Sequence, residues 1–433
     1  MGKLTFEADK IKNKAQSSIF LVLFTVILFF SPSFPLFGQN PHQQDPLTLK
    51  VAVIGPGNEL YFWWGHIGIV IEDNTRGQVR FYDWGVFSFE NENFFANFAL
   101  GNLFFSCMVS WAESYYETYI RTNRDITLYT LDLPMEKKEA VLAFAENNVL
   151  PENRDYRYHH FRDNCATRVR DILDMALDGQ FSDEFGEAPG RYTLRQHVRR
   201  HTWHNQFIDW LLNFLMGQGI DLPTTVWEEM FLPSEIGAKI KDFRYTDNEG
   251  RERALVSSVE TIYRAKGRPE VLDVPLLQWP KELLFSLVVS GLLLLSYLLL
   301  GKLKNYRVPI GIINSFFGLF FGIAGSLLFF MTFISAHDYT YDNSNIFFVN
   351  PLFLALIPLG LIFAFSASDK KRFIAARVLK VFWICTLLGG FFTMVIKLFP
   401  MFYQQNQVTQ ALLLPITLTM IFIMSRLGRL KAG

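Results

Sequence analysis

Five apolar runs, at about 283–301, 308–335, 346–367, 380–400 and 409–425, dominate the C-terminal part of this 433-residue chain. Each supplies the ~20 apolar residues that a bilayer-spanning helix needs. The segments between them alternate in charge. Lys302, Lys304 and Arg307 follow the first run, Lys370, Lys371, Arg372, Arg377 and Lys380 the third, and Arg426, Arg429 and Lys431 the fifth. The segments after the second (HDYTYDNSN) and the fourth (MFYQQNQ) hold neither Lys nor Arg. Basic residues collect on the cytoplasmic side of a membrane. The pattern therefore predicts five spans, a cytoplasmic C-terminus and a large segment, 39–281, on the outer side. The second run is long enough that tilt or a break near Gly322–Gly325 is expected.

Residues 17–37 form another apolar run, preceded by Lys10, Lys12 and Lys14 and broken by Pro32 and Pro35. This reads as a secretory signal peptide over 1–38, with an uncleaved signal anchor as the alternative. Both place the next segment outside the cytoplasm. The chain is 50% hydrophobic and 19% charged, which fits a division between water and lipid and excludes disorder. Its 41 basic residues balance 41 acidic ones, so no excess is available to neutralise nucleic-acid phosphates. Three cysteines do not make a disulfide framework. Cys107 and Cys385 lie in apolar surroundings and are expected to be buried thiols.

The outer segment reads as α+β. Alternating or β-branched stretches predict strands at Leu47–Ile54, His66–Glu72, Gln78–Trp84 and Asp125–Leu133. Met135–Val149 is an amphipathic helix, and a second helix runs from Cys165 with Val169, Ile172, Leu173 and Ala176 on one stripe. Residues 89–121 carry helix-compatible aromatic spacing, with room for irregular parts. The turn-rich DNTRG joins the second and third strands into a hairpin.

Cys165 opens its helix, with Arg168 and Arg170 following and Asp163-Asn164 supplying capping residue types. Free N–H groups and the positive end of the helix dipole stabilise a thiolate there, and the same groups can hold an oxyanion. The apolar stripe aims the thiol at the sheet. His66 is the candidate base: it begins a strand, and its same-face neighbour is only Gly68. The alternative is a strand-end histidine with a solvated tip. His159 and His160 read as surface or packing residues. His197, His201 and His204 recur on one possible helix, where a solvated face is favoured over a zinc site. No cofactor or metal is expected, and no phosphate loop, GxSxG or HExxH occurs.

A nucleophilic cysteine opening a helix, with its histidine on an earlier strand, resembles the circularly permuted NlpC/P60 class of papain-like enzymes, which includes lecithin retinol acyltransferase-like proteins. His66-Ile67-Gly68-Ile69 and Asn164-Cys165 carry that likeness. A closer resemblance lies in PGNELYFWWGHIGIVIED, FYDWGVFSFEN, LPENRDYRYHHFRDNCATRVRDIL and TTVWEEMFLP, which are similar to segments of the Lnb-type periplasmic domain. That resemblance implies a bacterial inner-membrane lipoprotein N-acyltransferase with Cys165 as nucleophile and His66 as base. Its expected partners are a phospholipid acyl donor and a diacylated lipoprotein acceptor. The permuted fold takes a third polar residue from the following strand, which makes Asp83 the candidate to orient His66. Pairing Ile71 with Val79 and Ile69 with Phe81 puts Asp83 on the wrong face, and a one-residue slip places it across from His66. Asn164, Asp163 and Arg168 are candidates for an oxyanion or phosphate site. The rival readings are a cell-wall cysteine peptidase or amidase, and a non-catalytic membrane scaffold. The expected architecture is thus a permuted papain-like domain over 39–281 followed by a five-helix membrane domain over 282–433.

Overall fold

The computed structural model describes residues 45–87, 93–300 and 306–427. The signal segment, and Lys302, Lys304, Arg429 and Lys431 of the charge pattern, lie outside the described residues.

Seven strands form one antiparallel sheet in the order β6-β4-β3-β2-β1-β5-β9. They are β1 (Leu47–Ile54), β2 (His66–Asp73), β3 (Gln78–Val86), β4 (Phe104–Trp111), β5 (Ile126–Leu131), β6 (Asp155–Arg157) and β9 (Val256–Tyr263), and β7 (Arg244–Thr246) pairs separately with β8 (Glu252–Ala254). The helices around them are α1 (Phe94–Leu100), α2 (Ala112–Arg121), α3 (Met135–Asn148), α4 (Cys165–Ala176), α5 (Gln180–Phe185), α6 (Leu194–Thr202), α7 (Gln206–Leu215), α8 (Val226–Glu229) and α9 (Pro233–Asp242).

Period-two alternation decides which side chains meet which helices. Leu49, Val51, Ile67, Ile69 and Ile71 point to one face and pack with Val141 and Ala145 of α3, Val169, Ile172 and Leu173 of α4, and Ile236 and Ile240 of α9. Ala52, Ile54, Val70 and Phe81 point to the other and meet Ala112 and Tyr119 of α2. Each large aliphatic side chain removed from water in this way contributes about 1.5–3 kcal/mol. The described part of the aromatic stretch is not one continuous helix: β4 lies between α1 and α2, inserted between β3 and β6. Rings recurring at many spacings satisfy the helical and the extended period together, so the pattern there does not discriminate.

Among the described residues, five helices are long and apolar enough to cross a membrane: Trp279–Leu300, Arg307–Phe333, Ser344–Phe365, Asp369–Ile396 and Gln407–Leu427. The second is unbroken. Its Gly325 instead lets a neighbour approach, since a Cβ there would lie 2.4 Å from the Asn350 carbonyl carbon. The irregularity falls in the third span, which starts as 3-10 turns at Ser344–Phe347 and Pro351–Ala355 before the α-helix Leu356–Phe365. Cys107 is buried, but Cys385, on the fourth span, is exposed. An apolar sequence setting marks a bilayer-facing position as readily as a protein core.

The two inter-span loops that lack Lys and Arg are the ones that grip the soluble domain. Asn343, after the second span, donates through Nδ2 to the carbonyls of Phe214, Leu215 and Met216 at 2.9–3.2 Å. Gln404, after the fourth, bonds the Met216 carbonyl, Asn343 Oδ1 and the Ser344 hydroxyl. Beneath this lock the fully buried Arg195 donates to Asp221 Oδ1 at 2.7 Å and to the carbonyls of Asn213, Met216 and Gly217. Asp221 Oδ2 accepts from Gln405 N at 3.0 Å. Arg195→Met would leave the Asp221 carboxylate buried without its cation. The expected loss is about 3–5 kcal/mol, read as a lower melting temperature of the detergent-solubilised protein. An unchanged melting point would show that Asp221 finds another partner.

Candidate active site

The loop joining β2 to β3 sets the register of the site. Asp73 Oδ1 accepts from Thr75 N at 3.0 Å and Arg76 N at 3.1 Å, and Gly77 takes φ +64°. These contacts give residues 74–77 to the turn, so Asp73 pairs with Gln78 and Ile71 with Arg80. The Ile71–Val79 pairing expected from the sequence is off by one residue. With the slip, Asp83 shares the face of His66, offset diagonally along the strand rather than directly across from it.

His66 Nε2 lies 2.8 Å from Asp83 Oδ1. The same carboxylate oxygen accepts from Gly85 N at 2.7 Å, and the Tyr115 hydroxyl of α2 is a further donor to Asp83. Cys165 is the other side-chain hydrogen-bonding partner of His66. With Nε2–H committed to Asp83, Nδ1 is the nitrogen left for the thiol. Both His66 and Cys165 are first residues of their elements, so they meet at the end of the sheet layer although α4 packs on the face opposite α2.

Electrostatics tie the three groups together. Burial alone would lower the His66 pKa, but the charges of Asp83 and then Cys165, with hydrogen bonds to both, raise it to about 10. Burial pushes the Asp83 carboxyl up, and the His66 charge and the hydrogen bonds from His66, Gly85 and Tyr115 outweigh it, leaving the carboxyl below its ordinary value. The arrangement favours an imidazolium held against the Asp83 carboxylate.

Gly85 makes room for the ring. A Cβ at this position would sit 2.4 Å from His66 Cε1. Gly85→Ala should push the imidazole off its bond to Asp83 and lower kcat about 10²-fold, as a displacement near 1 Å does. A kinetic comparison of the purified variant tests this, and wild-type turnover would show that the ring position is not critical.

The helix that carries Cys165 is built by its cap. Asn164 Oδ1 accepts from Ala166 N at 2.8 Å and Thr167 N at 3.0 Å, and Thr167 Oγ1 accepts from Asn164 N at 2.8 Å. Such a cap contributes about 0.5–2 kcal/mol. The Asn164 amide donates to the carbonyls of His160 and Phe231. Asn164 is thus fully occupied in shaping the loop. Of the first three helical N–H groups, that of Cys165 is the one Asn164 does not take. Arg168 makes a two-point contact with Asp163, at 2.6 and 2.8 Å, and lies over the Tyr156 ring.

Other residues at the site have no sequence signature. Arg124 is buried, donates through Nε to Gly55 O at 3.0 Å, and stacks over Phe62 and Tyr119. It interacts electrostatically with Cys165 and Asp83. His159 and His160 do more than pack on a surface: His159 Nε2 meets Asp338 Oδ1 at 2.7 Å, and His160 Nδ1 meets the Tyr339 hydroxyl at 3.2 Å, so both dock on the loop after the second span. His197 and His201 are buried rather than on a solvated face. His197 bridges Glu229 and Arg200, and His201 Nδ1 donates to the His197 carbonyl. Arginine-rich helices read as solvated until buried partners are seen.

Residues 37–200 match a family model described as the Lnb N-terminal periplasmic domain. This segment is similar to that domain. The match takes in His66, Asp83 and Cys165 and ends within α6, so the Lnb-type match leaves α7 onward, β9 and the membrane spans outside it. No curated protein and no solved structure gave a significant match. The chain thus joins a segment similar to the Lnb N-terminal periplasmic domain to five helices long and apolar enough to cross a membrane.

Proposed function

We propose that the protein is a lipoprotein N-acyltransferase that moves an acyl chain from a phospholipid to the α-amine of a diacylglyceryl-cysteine, through a thioester on Cys165. The observation that carries this reading is the Cys165–His66–Asp83 constellation in a domain locked onto membrane helices. Acyl-CoA and ATP belong to the cytoplasm, so the abundant activated acyl group on the outer side is a phospholipid ester. With the domain periplasmic and both Lys/Arg-free loops on its side, five spans put the C-terminus in the cytoplasm.

His66 Nδ1 takes the thiol proton, and the thiolate attacks the ester carbonyl carbon. The Cys165 N–H, which the Asn164 cap does not take, is the donor assigned to the resulting oxyanion. Collapse breaks the carbon–oxygen bond, the proton passes from His66 to the leaving alkoxide, and a lysophospholipid departs. The lipoprotein amine then attacks the thioester, gives its proton to His66 and forms an amide, and the sulfur leaves with a proton returned. Asp83 orients the imidazole throughout. Fixing the domain on its spans holds both lipid-anchored substrates at one depth, which turns a bimolecular encounter into a positioned one.

The test is mass spectrometry of a lipoprotein N-terminal peptide from cells with and without the protein, in a host lacking any redundant enzyme. Loss of one amide-linked acyl chain supports the reading, and an unchanged lipopeptide overturns it. Purified protein that releases peptides from peptidoglycan but leaves a diacylated lipopeptide untouched would instead identify a cell-wall peptidase.

A further inference from the structure

An aromatic path leads from Tyr158, near Cys165, to the end of the second membrane span. Tyr158 packs on the same core as Cys165, and burial followed by the Cys165 charge holds its hydroxyl protonated. Its ring stacks on Phe105 with centroids 3.9 Å apart, and Phe105 on Phe87 at 4.8 Å. Phe87 meets Phe94 of α1 at 6.0 Å, and Phe94 meets Phe98 one turn later at 6.3 Å. The path closes on itself through loop residues of both parts of the chain. Phe98 contacts His337, His337 contacts His160, and His160 returns to Tyr158 at 5.2 Å.

Two features say what such a collar would hold. The first is the neutrality of its histidines. Burial lowers His337, and burial with the neighbouring His337 and His159 brings His160 down to about 3, so both imidazoles are neutral. The second is where α1 sits. Its sequence, FFANFAL, has no charged residue, and Phe95 is 75% exposed, with Phe98 and Leu100 also exposed. The helix end is tied to the end of the second span: Ser335 Oγ donates to Ala99 O, Ala336 N to Leu100 O and His337 Nε2 to Phe98 O. Phe333 and Ile334 are exposed beside it. An uncharged helix presenting large apolar side chains at the end of a span is covered by lipid rather than water. The path therefore runs from the outer leaflet to the nucleophile.

We propose that this aromatic collar holds the acyl chain of an outer-leaflet phospholipid and leads its ester from the bilayer to Cys165. The assignment of a donor rests on the acyl-transfer reading above, whereas the presence of a chain in the collar is separately testable.

Full-length Cys165→Ala protein in lipid nanodiscs would be irradiated with a phospholipid bearing a diazirine in mid-chain. Crosslinks are expected on peptides carrying Phe87, Phe98 and Phe105, and label confined to the five spans would overturn the proposal. In active enzyme, Phe98→Glu places a charge on a half-exposed collar position that the core does not need. It should lower the ratio of thioester formed from a sixteen-carbon donor to that from a six-carbon donor at least tenfold, and an unchanged ratio would overturn the proposal. Crosslinks in the collar without a thioester from any donor would sink the reaction and leave the chain site standing. A thioester without collar crosslinks would do the reverse. Labelling only by a diacylated lipopeptide probe would give the collar to the acceptor and overturn its assignment to the donor.

Discussion

Replacing Cys165 or His66 by alanine is expected to lower kcat for acyl transfer by at least about 10³-fold, and replacing both should cost little more than replacing either. A nucleophile and its base act as one unit, so removing the first part already removes what the second contributes. The covalent step supplies a sharper readout than turnover. With a phospholipid donor and no acceptor, wild-type protein should accumulate one acyl chain on Cys165. Neutral hydroxylamine should strip it, because a thioester is cleaved where an amide survives. Adding a lipopeptide with a free amine should discharge it, and one with a blocked amine should not. Cys165 is only partly buried, so its loss should change stability by about 1 kcal/mol or less. Wild-type turnover in either single variant would remove that residue from the reaction. An adduct that persists in Cys165→Ala would place the chemistry elsewhere.

Asp83→Asn should be nearly as damaging, by about 10²–10⁴-fold in kcat, while keeping the shape of the site. An amide at this position neither fixes the ring through Nε2–H nor balances the imidazolium. The diagnostic result is in the pH profile. His66 is raised from 6.5 to about 10, so wild-type activity that needs the imidazolium to protonate the leaving alkoxide should hold until that pH and fall above it. In Asp83→Asn the alkaline limb should move down toward the ordinary imidazole range. Stability follows the same linkage. A folded-state pKa above the unfolded value stabilises fully below about 6.5 and ceases to do so as pH rises through about 10. The lowered Asp83 carboxyl contributes above its ordinary 3.8 and loses that contribution as pH falls below it. The melting-temperature difference between wild type and Asp83→Asn should therefore be widest between these ordinary values and narrow on the alkaline side. A pH-independent difference would assign Asp83 a packing role only.

Much of this arrangement is legible in the residues themselves. The strands 47–54 and 66–73 follow from alternation, and α4 from its apolar stripe and the Asn164 cap. Cys165 stands out because a helix N-terminus is a recognisable environment for a thiolate. The position of Asp83 relative to His66 is of another kind. It depends on whether the β2–β3 turn takes residues 74–77, which the Asp73 side chain decides through bonds to Thr75 and Arg76. Changing that register by one residue reverses the face of every side chain on the strand.

The sequence by itself determined the five candidate spans found among the described residues, because twenty-residue apolar runs are local properties read by the bilayer, and its Lys/Arg placement sets which loops are expected on the outer side. It also marked Cys165 and His66, which the structure brings into interaction. Only the tertiary structure decided that Asp83 faces His66, that Arg124 is buried beside them, and that His159 and His160 dock on Asp338 and Tyr339. These are contacts between residues far apart in the chain, and nothing in the spacing of either partner encodes the other. Their meeting is set by sheet register and by how the soluble domain seats on the loops between its spans.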